Sequence, residues 1–444
     1  SDADTDTDTD ADTDITESSQ WVFDEGTIRI YRLTMAADDW THLQEEGVDE
    51  EYVSADLEVD GQTWNNIGVR LKGSYSLDSC WSMGTRLWDG HCQKISMKLD
   101  FTEFDDTLRF KEMKKINLHS MSADLTKMHE RLGYHLFRAI GLVAPRSVPA
   151  QVYVNDTYLG IFQAVENVDG RFTANRFPGA GDGNLFKEIW PSSEIDSADD
   201  VWDALKTNDE PEDNPDISDF IEFNEALTAV TADNIDQNLF PYVNVDEMLK
   251  FLVVDRAIHN WDGPLSFYWG ANHNYYWYHR ESGQWLLIPW DLDKTFWEYD
   301  RYFAPNPDEG ITTPVPGWNV IPNECPSGMF GGMYTIAETI GPPEEGPASN
   351  TFVAPGCDPL ISILASMYWD DFVSHGTTFM ETQFTLENLN SILDIWQAQI
   401  DSVMQIEPTL SYSEWLVEME TLRSHLPKLR SDLATHLADS YRHE

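Results

Sequence analysis

The sequence predicts an α+β fold in which a sheet-rich N-terminal part precedes a mainly helical C-terminal part. Between residues 20 and 110, short runs alternate apolar and polar side chains, with Gly, Asp and Asn between them. A segment near residue 130 then repeats apolar residues at helical spacing before two further strands, and everything after Pro359 keeps helical spacing.

Taken in order, TIRIYRLTM, YVSADLEVD, NNIGVRLKG and KISMKLDF read as antiparallel strands. DLTKMHERLGYHLFRAIG sets Leu125, Met128, Leu132, Leu136 and Ile140 at helical intervals and stops at Gly141, with Pro145 just beyond. VPAQVYVN and YLGIFQAVE are strands flanking an Asn155-Asp156 turn, followed by the Gly-rich PGAGDGN and by LFKEIW. The boundary between the two parts is expected between 170 and 190, giving an N-terminal part over 20–180 and a C-terminal part over 181–444. An acidic, exposed loop at 193–217 opens the second part. VDEMLKFLVVDRAIHNWDG then reads as a helix running into a loop, and NYYWYH with QWLLIPWDLD as two strands joined by ESG. Residues 304–357 form a Pro/Gly-rich insertion longer than an ordinary connection.

A chain of 444 residues with 41% hydrophobic and 12% aromatic composition can build a substantial core. Its formal net charge is −50, and the first fourteen residues hold only seven of the Asp, so the acidity belongs to the folded part. Such a surface repels phosphate backbones and anionic lipids, which argues against nucleic acid and membrane partners and favours cationic ones, metal ions or a salty milieu. No run approaches the roughly 20 apolar residues of a membrane span. Residues 1–19, Asp/Thr-rich and without large apolar side chains over most of their length, read as a disordered spacer. Such a spacer suits an exported protein tethered at its N-terminus on the cell surface. Cys80 with Cys92, and Cys325 with Cys357, suggest two local disulfides rather than a zinc site, since no CxxC occurs.

The chemistry-bearing residues cluster in HNWDG and HNYYWYHRESGQWLLIPWDLD, which bring Asp262, Asn274, Asp291 and Asp293 near the ends of one hairpin. Carboxylates and an amide oxygen at strand ends suit a hard cation such as Mg²⁺. Asp-x-Asp also serves as ordinary turn chemistry, and both readings stay open on the residues alone. Arg70, Lys72, Lys94 and Lys98 alternate along strands in a chain with only 28 basic residues. Alternation would set Arg70 with Lys72 on one face and Lys94 with Lys98 on another, each pair able to meet an anion. His259 and His273 read as local hydrogen-bonding residues.

The run INLHSMSADLTKMHERLGYHLFRAIGLVAPRSVPAQVYVNDTYLGIFQAVENVDGRF, with GVRLKGSYS upstream and HNYYWYHRESGQWLLIPWDLDKTF downstream, resembles the signature of the CotH kinase family. The match runs in family order from Gly68 to Phe296. The resemblance implies an atypical protein-kinase-like two-lobed fold, sheet-rich N-lobe then mainly helical C-lobe, with its catalytic segment over 255–296. It also implies ATP with Mg²⁺ or Mn²⁺, Asp262 as the catalytic residue orienting the acceptor hydroxyl, and Asp291 as a metal ligand joined by Asn274 and Asp293. Lys72, Lys94 and Lys187 become candidates for phosphate contact, Arg131 for bracing a carboxylate or phosphate, and Glu166 for the nucleotide's adenine or ribose side. No H-R-D or D-F-G occurs, and Asp262 lies further from Asn274 than in the usual catalytic loop.

The expected activity is transfer of the γ-phosphoryl group to Ser or Thr of an exported surface or coat protein, by a monomer acting on a basic substrate. The alternatives are transfer of a nucleotide or an amino acid by the same fold, or a non-catalytic surface scaffold or adhesin, rigidified by Ca²⁺.

Overall fold

The computed structural model describes residues 18–73, 77, 94–192, 195, 198–207, 216–260, 263–265, 273–296, 318–321 and 355–443. They divide into two compact units, neither contiguous in sequence. The first draws on Ser1–Ser122, Arg146–Asn167 and Gln399–Tyr412; the second on Ala123–Pro145, Val168–Ala398 and Ser413–Glu444. The chain is thus mixed, with its sheet-rich part early and its long helices late.

The first unit is a closed seven-stranded barrel. Its strands are β1 (Arg29–Thr34), β2 (Val53–Val59), β3 (Gln62–Leu71), β4 (Met97–Asp100), β5 (Lys115–His119), β6 (Ser147–Val154) and β7 (Thr157–Glu166), in the order β1-β2-β3-β4-β5-β7-β6. The alternation read from the sequence becomes the inside and outside of this barrel, most clearly in β2, where buried and exposed residues alternate without a break. Leu33, Leu57, Val69, Leu99, Leu118 and Phe162 belong to its fully buried core. An antiparallel sheet was the expectation; the barrel closes instead through a parallel seam, Tyr31 opposite Val152. A parallel pair needs a long connection between its strands, which the chain supplies between β1 and β6, and closure leaves this barrel no exposed sheet edge.

Strand ends correct one further expectation. Arg70 stands directly opposite Lys98 in the β3–β4 register, while Lys72 and Lys94 lie beyond the ends of those strands. The four cations therefore do not sort into the two faces that simple alternation suggests.

In the second unit, β8 (Leu185–Lys187), β9 (Tyr275–His279) and β10 (Trp285–Pro289) form an antiparallel sheet in the order β10-β9-β8. Aromatic side chains pack its faces: Phe223 stacks on Trp285 with ring centres 4.7 Å apart, and Phe186 lies 4.8 Å from Phe220. The longer helices of this unit are α1 (His129–Ala139), α2 (Ser218–Thr228), α3 (Val245–Ala257), α4 (Pro359–Thr382), α5 (Leu386–Met404, of which the residues from Gln399 on belong to the first unit) and α6 (Tyr412–Ala438). Helix α1 starts later than its apolar spacing suggests, because the buried Asp124 carboxylate accepts the N–H groups of Thr126 and His129 and holds the preceding residues in a turn. Asp358 caps α4 by accepting the Ile361 N–H, ahead of Pro359 at the first turn.

Among the described residues no cysteine is free, Cys357 being disulfide-bonded. Cys80, Cys92 and Cys325, and with them the two expected pairings, lie outside the described residues, as do the spacer up to residue 17 and most of the 304–357 insertion. No described helix is long and apolar enough to cross a membrane.

Candidate active site

In the second unit the antiparallel register brings the end of β8, the start of β9 and the end of β10 to one edge of the sheet, with Lys187 opposite Tyr276 and Pro289 opposite Tyr275. The residues just past those strand ends are Glu188, Asn274 and Asp291, and all three adopt left-handed backbone, with φ of 57°, 62° and 49°. Side chains rarely take that conformation, and it persists only where surrounding contacts enforce it.

The contacts are explicit. The Glu188 carboxylate accepts the Asn274 N–H at 3.0 Å, and the Asn274 carbonyl accepts the Trp290 N–H at 2.9 Å. The next N–H, that of Asp291, donates to the Tyr134 hydroxyl at 3.0 Å, and that hydroxyl donates to Glu130 Oε1 at 3.2 Å. Glu130 and Tyr134 sit four apart on α1, hence on one face. Carboxylate oxygens of Glu130 and Asp291 lie within 4.8 Å of each other. Burial, then the charges of Glu130 and Asp291, push the Tyr134 hydroxyl well above its ordinary range, which keeps its proton on the bond to Glu130.

Helix α1 grips the rest of the Asp291–Asp293 turn as well. A Cβ at Gly133 would lie 2.7 Å from Leu292 Cδ1 and 3.2 Å from Leu292 Cβ, so a larger residue there would force the Leu292 side chain of the turn to shift. Nδ1 of His129 lies 3.2 Å from the Asp293 carbonyl, and burial holds this imidazole below its ordinary range. The Asp293 carboxylate is half-buried in the same short turn.

Burial raises the Tyr276 hydroxyl above its ordinary range, and the negative charges of Glu188, Asp169 and Asp291 add to that. Burial works to raise Glu188 too, yet His273, Lys187 and the Asn274 N–H outweigh it and bring this carboxyl down to about 2. The edge therefore carries oxygen donors of the kind a hard divalent cation takes, with Glu130 and Asp291 close enough to share one after a small adjustment.

The other sequence-derived residues are placed as follows. Lys187 lies 3.4 Å from the Glu188 carboxylate, half-exposed at the same edge. Arg131 is buried, with its guanidinium 4.0 Å over the Trp396 ring. In the barrel unit, Lys72 Nζ is 2.7 Å from His119 Nε2. Lys94 is buried there against Glu407 Oε1 at 3.2 Å and the Ile161 carbonyl, while Glu407 also accepts the Ile161 N–H. Gly160, at φ 114°, leaves room for that carboxylate, which a Cβ would meet at 2.5 Å. Glu166, at the end of β7, accepts from both the backbone and the guanidinium of Arg146.

Asp262 lies outside the described residues. Before it, the Asn260 amide donates to the buried Asp255 carboxylate at 2.8 Å, and burial pushes Asp255 up to about 7. His259 and Arg256 both pair with Asp432 of α6.

Sequence reasoning missed Glu188, Tyr134 and the approach of Glu130 to Asp291. Glu188 stands beside Lys187 in GNLFKEIW, and only the β8–β9 register reveals its bond to Asn274. The four-residue spacing of Glu130 and Tyr134 was visible, but not that their face meets Asp291.

The inner spore coat protein H of Bacillus subtilis (strain 168) is 23% identical to this chain over 283 residues, which cover 62% of the chain and 70% of that protein. The family described as CotH kinase protein matches residues 69–430, a span that includes the barrel strands from Val69 on, α1 and the strand-end turns, and the chain belongs to that family.

Proposed function

We propose that this protein is an ATP-dependent atypical protein kinase of the CotH type, with a divergent two-lobed kinase fold, that transfers the γ-phosphoryl group to Ser or Thr of an exported surface or coat protein. The observation that carries the reading is Asp291, held in left-handed backbone by Tyr134 with its carboxylate within 4.8 Å of Glu130. Strain fixed by a buried tyrosine at a pair of carboxylates is the kind of pre-organisation a metal-nucleotide site requires.

In this reading Asp291 and Asn274, with Asp293, hold the Mg²⁺ or Mn²⁺, and Glu130 stands next to them. The bound cation supplies neutralisation of charge on the phosphoryl oxygens. Asp262 orients the acceptor hydroxyl and takes its proton as the bond to phosphorus forms and the bond to the ADP leaving group breaks. Lys187, at the same sheet edge, exchanges its contact with Glu188 for a phosphate oxygen, and Arg131, in the same unit, supplies further positive field. The net charge of −50 favours a basic acceptor segment. A coat-associated, extracytoplasmic location follows the name of the Bacillus relative.

The test is intact-protein mass spectrometry of the chain and a basic Ser/Thr peptide after incubation with ATP and Mn²⁺ or Mg²⁺, beside Asp262→Ala and Asp291→Ala. Addition of about 80 Da, lost in both variants, supports phosphoryl transfer, whereas about 329 Da marks AMP transfer. No mass change on peptide or protein sinks the kinase reading.

A further inference from the structure

We infer that Glu188 is a positioning residue of this site: by accepting the Asn274 N–H it fixes the left-handed turn of Asn274 and, through the Asn274 carbonyl and the Trp290 N–H, the approach of Asp291. The inference rests on the metal-nucleotide reading of Asn274 and Asp291 given above.

Three features argue for it. First, Glu188 belongs to the sheet through its own backbone, whose N–H donates to the Tyr275 carbonyl at 3.2 Å, so its carboxylate is delivered from a rigid strand end. Second, both hydrogen-bonding groups of the Asn274 backbone are engaged, the N–H by Glu188 at 3.0 Å and the carbonyl by Trp290 at 2.9 Å. A residue clamped on both sides has no freedom to relax out of the left-handed region, and its side chain is aimed accordingly. Third, Trp290 immediately precedes Asp291, whose N–H is taken by Tyr134, so two short hydrogen-bonded chains, joined by the Trp290–Asp291 backbone, connect Glu188 to Glu130 through both proposed ligands. A strand-end glutamate serving only as a solvated surface charge would have no reason to be in left-handed backbone with its side chain turned back onto the sheet.

Groups that orient metal ligands typically change metal affinity by 10–100-fold when removed. The experiment measures Mn²⁺ binding by the electron paramagnetic resonance of the free aquo ion, with a non-hydrolysable ATP analogue present, for the unaltered chain, Asp291→Asn, Glu188→Ala and Glu188→Gln. Thermal melting of each is recorded alongside. The expected result is a Kd for Mn²⁺ raised about tenfold or more in Glu188→Ala. Glu188→Gln, which keeps an oxygen to accept the Asn274 N–H, should show a smaller rise.

If Glu188→Ala does not fold, Glu188→Asp takes its place, since drawing the carboxylate back by one methylene breaks the same contact while keeping the charge. A folded Glu188→Ala or Glu188→Asp protein binding Mn²⁺ as the unaltered chain does, while Asp291→Asn loses it, overturns the role of Glu188 and leaves the site reading intact. Equal losses in Glu188→Gln and Glu188→Ala also overturn it, because charge rather than the hydrogen bond would then matter. Absence of Mn²⁺ binding by the unaltered chain overturns the site reading and this inference with it.

Discussion

Left-handed backbone occurs in both units, and comparing the two shows when it signals a site. In the barrel unit, Asp60-Gly61, Lys111-Glu112 and Asn155-Asp156 each take positive φ at both positions, and each is the two-residue connection of an antiparallel pair. That is the geometry a tight hairpin demands, because only such turns match the twist of the strands they join. In the second unit Glu188, Asn274 and Asp291 close no such two-residue hairpin. They lie at three strand ends on one sheet edge and are held there by side-chain and backbone hydrogen bonds. Unusual backbone therefore marks chain reversal in the first case and convergence of polar groups in the second.

Glycine substitution tests that distinction with the largest expected effect. Asp291→Gly and Asp156→Gly each remove a side chain from left-handed backbone, which relieves on the order of 1 kcal/mol of strain, so both proteins should unfold at equal or slightly higher denaturant. Phosphoryl transfer should fall at least about a hundredfold in Asp291→Gly, which loses a group acting on the transferred charge, and stay unchanged in Asp156→Gly. Comparable activity in the two variants would mean that the strand-end residues are merely another set of turns.

How far this contrast was legible in the sequence depends on the residue. Asn155-Asp156 announced its turn through composition between two alternating runs, and the structure has it there. The β9 and β10 strands were equally clear from NYYWYH and QWLLIPWDLD, which put Asn274 and Asp291 at strand ends. Barrel closure was not readable, because the pairing of β1 with β6 joins segments more than a hundred residues apart and no local pattern encodes a partner. The same limit hid Glu188: its bond to Asn274 spans 86 residues. The engagement of Lys94 with Glu407 spans 313. Local chemistry fixes which residues are available, and tertiary register decides which of them meet.

The buried carboxyl of Asp255 gives the next effect in size and asks whether the segment before Asp262 is held by charge or by shape. Burial raises Asp255 from 3.8 to about 7, against the opposing pulls of Asn260 and Arg256. The folded protein thus keeps a proton that the unfolded chain releases, so this group's contribution to stability is complete below about pH 4 and is lost as pH rises to about 7. Asp358, raised to about 6 by burial, adds a decline of the same sign that ends sooner. In Asp255→Asn, which cannot ionise but still accepts from Asn260, unfolding free energy should gain a few kcal/mol relative to the unaltered chain between pH 4 and 7. Urea unfolding at several pH values reads this directly, and a difference between the two proteins that does not change with pH would rule the account out.

Tyr134→Phe is the smallest and sharpest of these changes, since it removes one oxygen and nothing else. That oxygen accepts the Asp291 N–H and donates to Glu130, so its loss leaves one donor and one buried carboxylate each short of a contact, at a cost of about 1–3 kcal/mol. If the hydroxyl served only to satisfy a buried helix face, stability would fall and activity at saturating Mn²⁺ would not. If it holds Asp291 in its left-handed turn, the Mn²⁺ concentration for half-maximal phosphoryl transfer should rise about tenfold, with kcat at saturating metal less affected, because the ligand is misaimed rather than missing. Combining Tyr134→Phe with Glu188→Ala then asks whether the two hydrogen-bonded chains act together: a double variant no worse in metal affinity than the weaker single one means that the turn moves as a unit, whereas multiplied losses mean that each residue holds its own ligand.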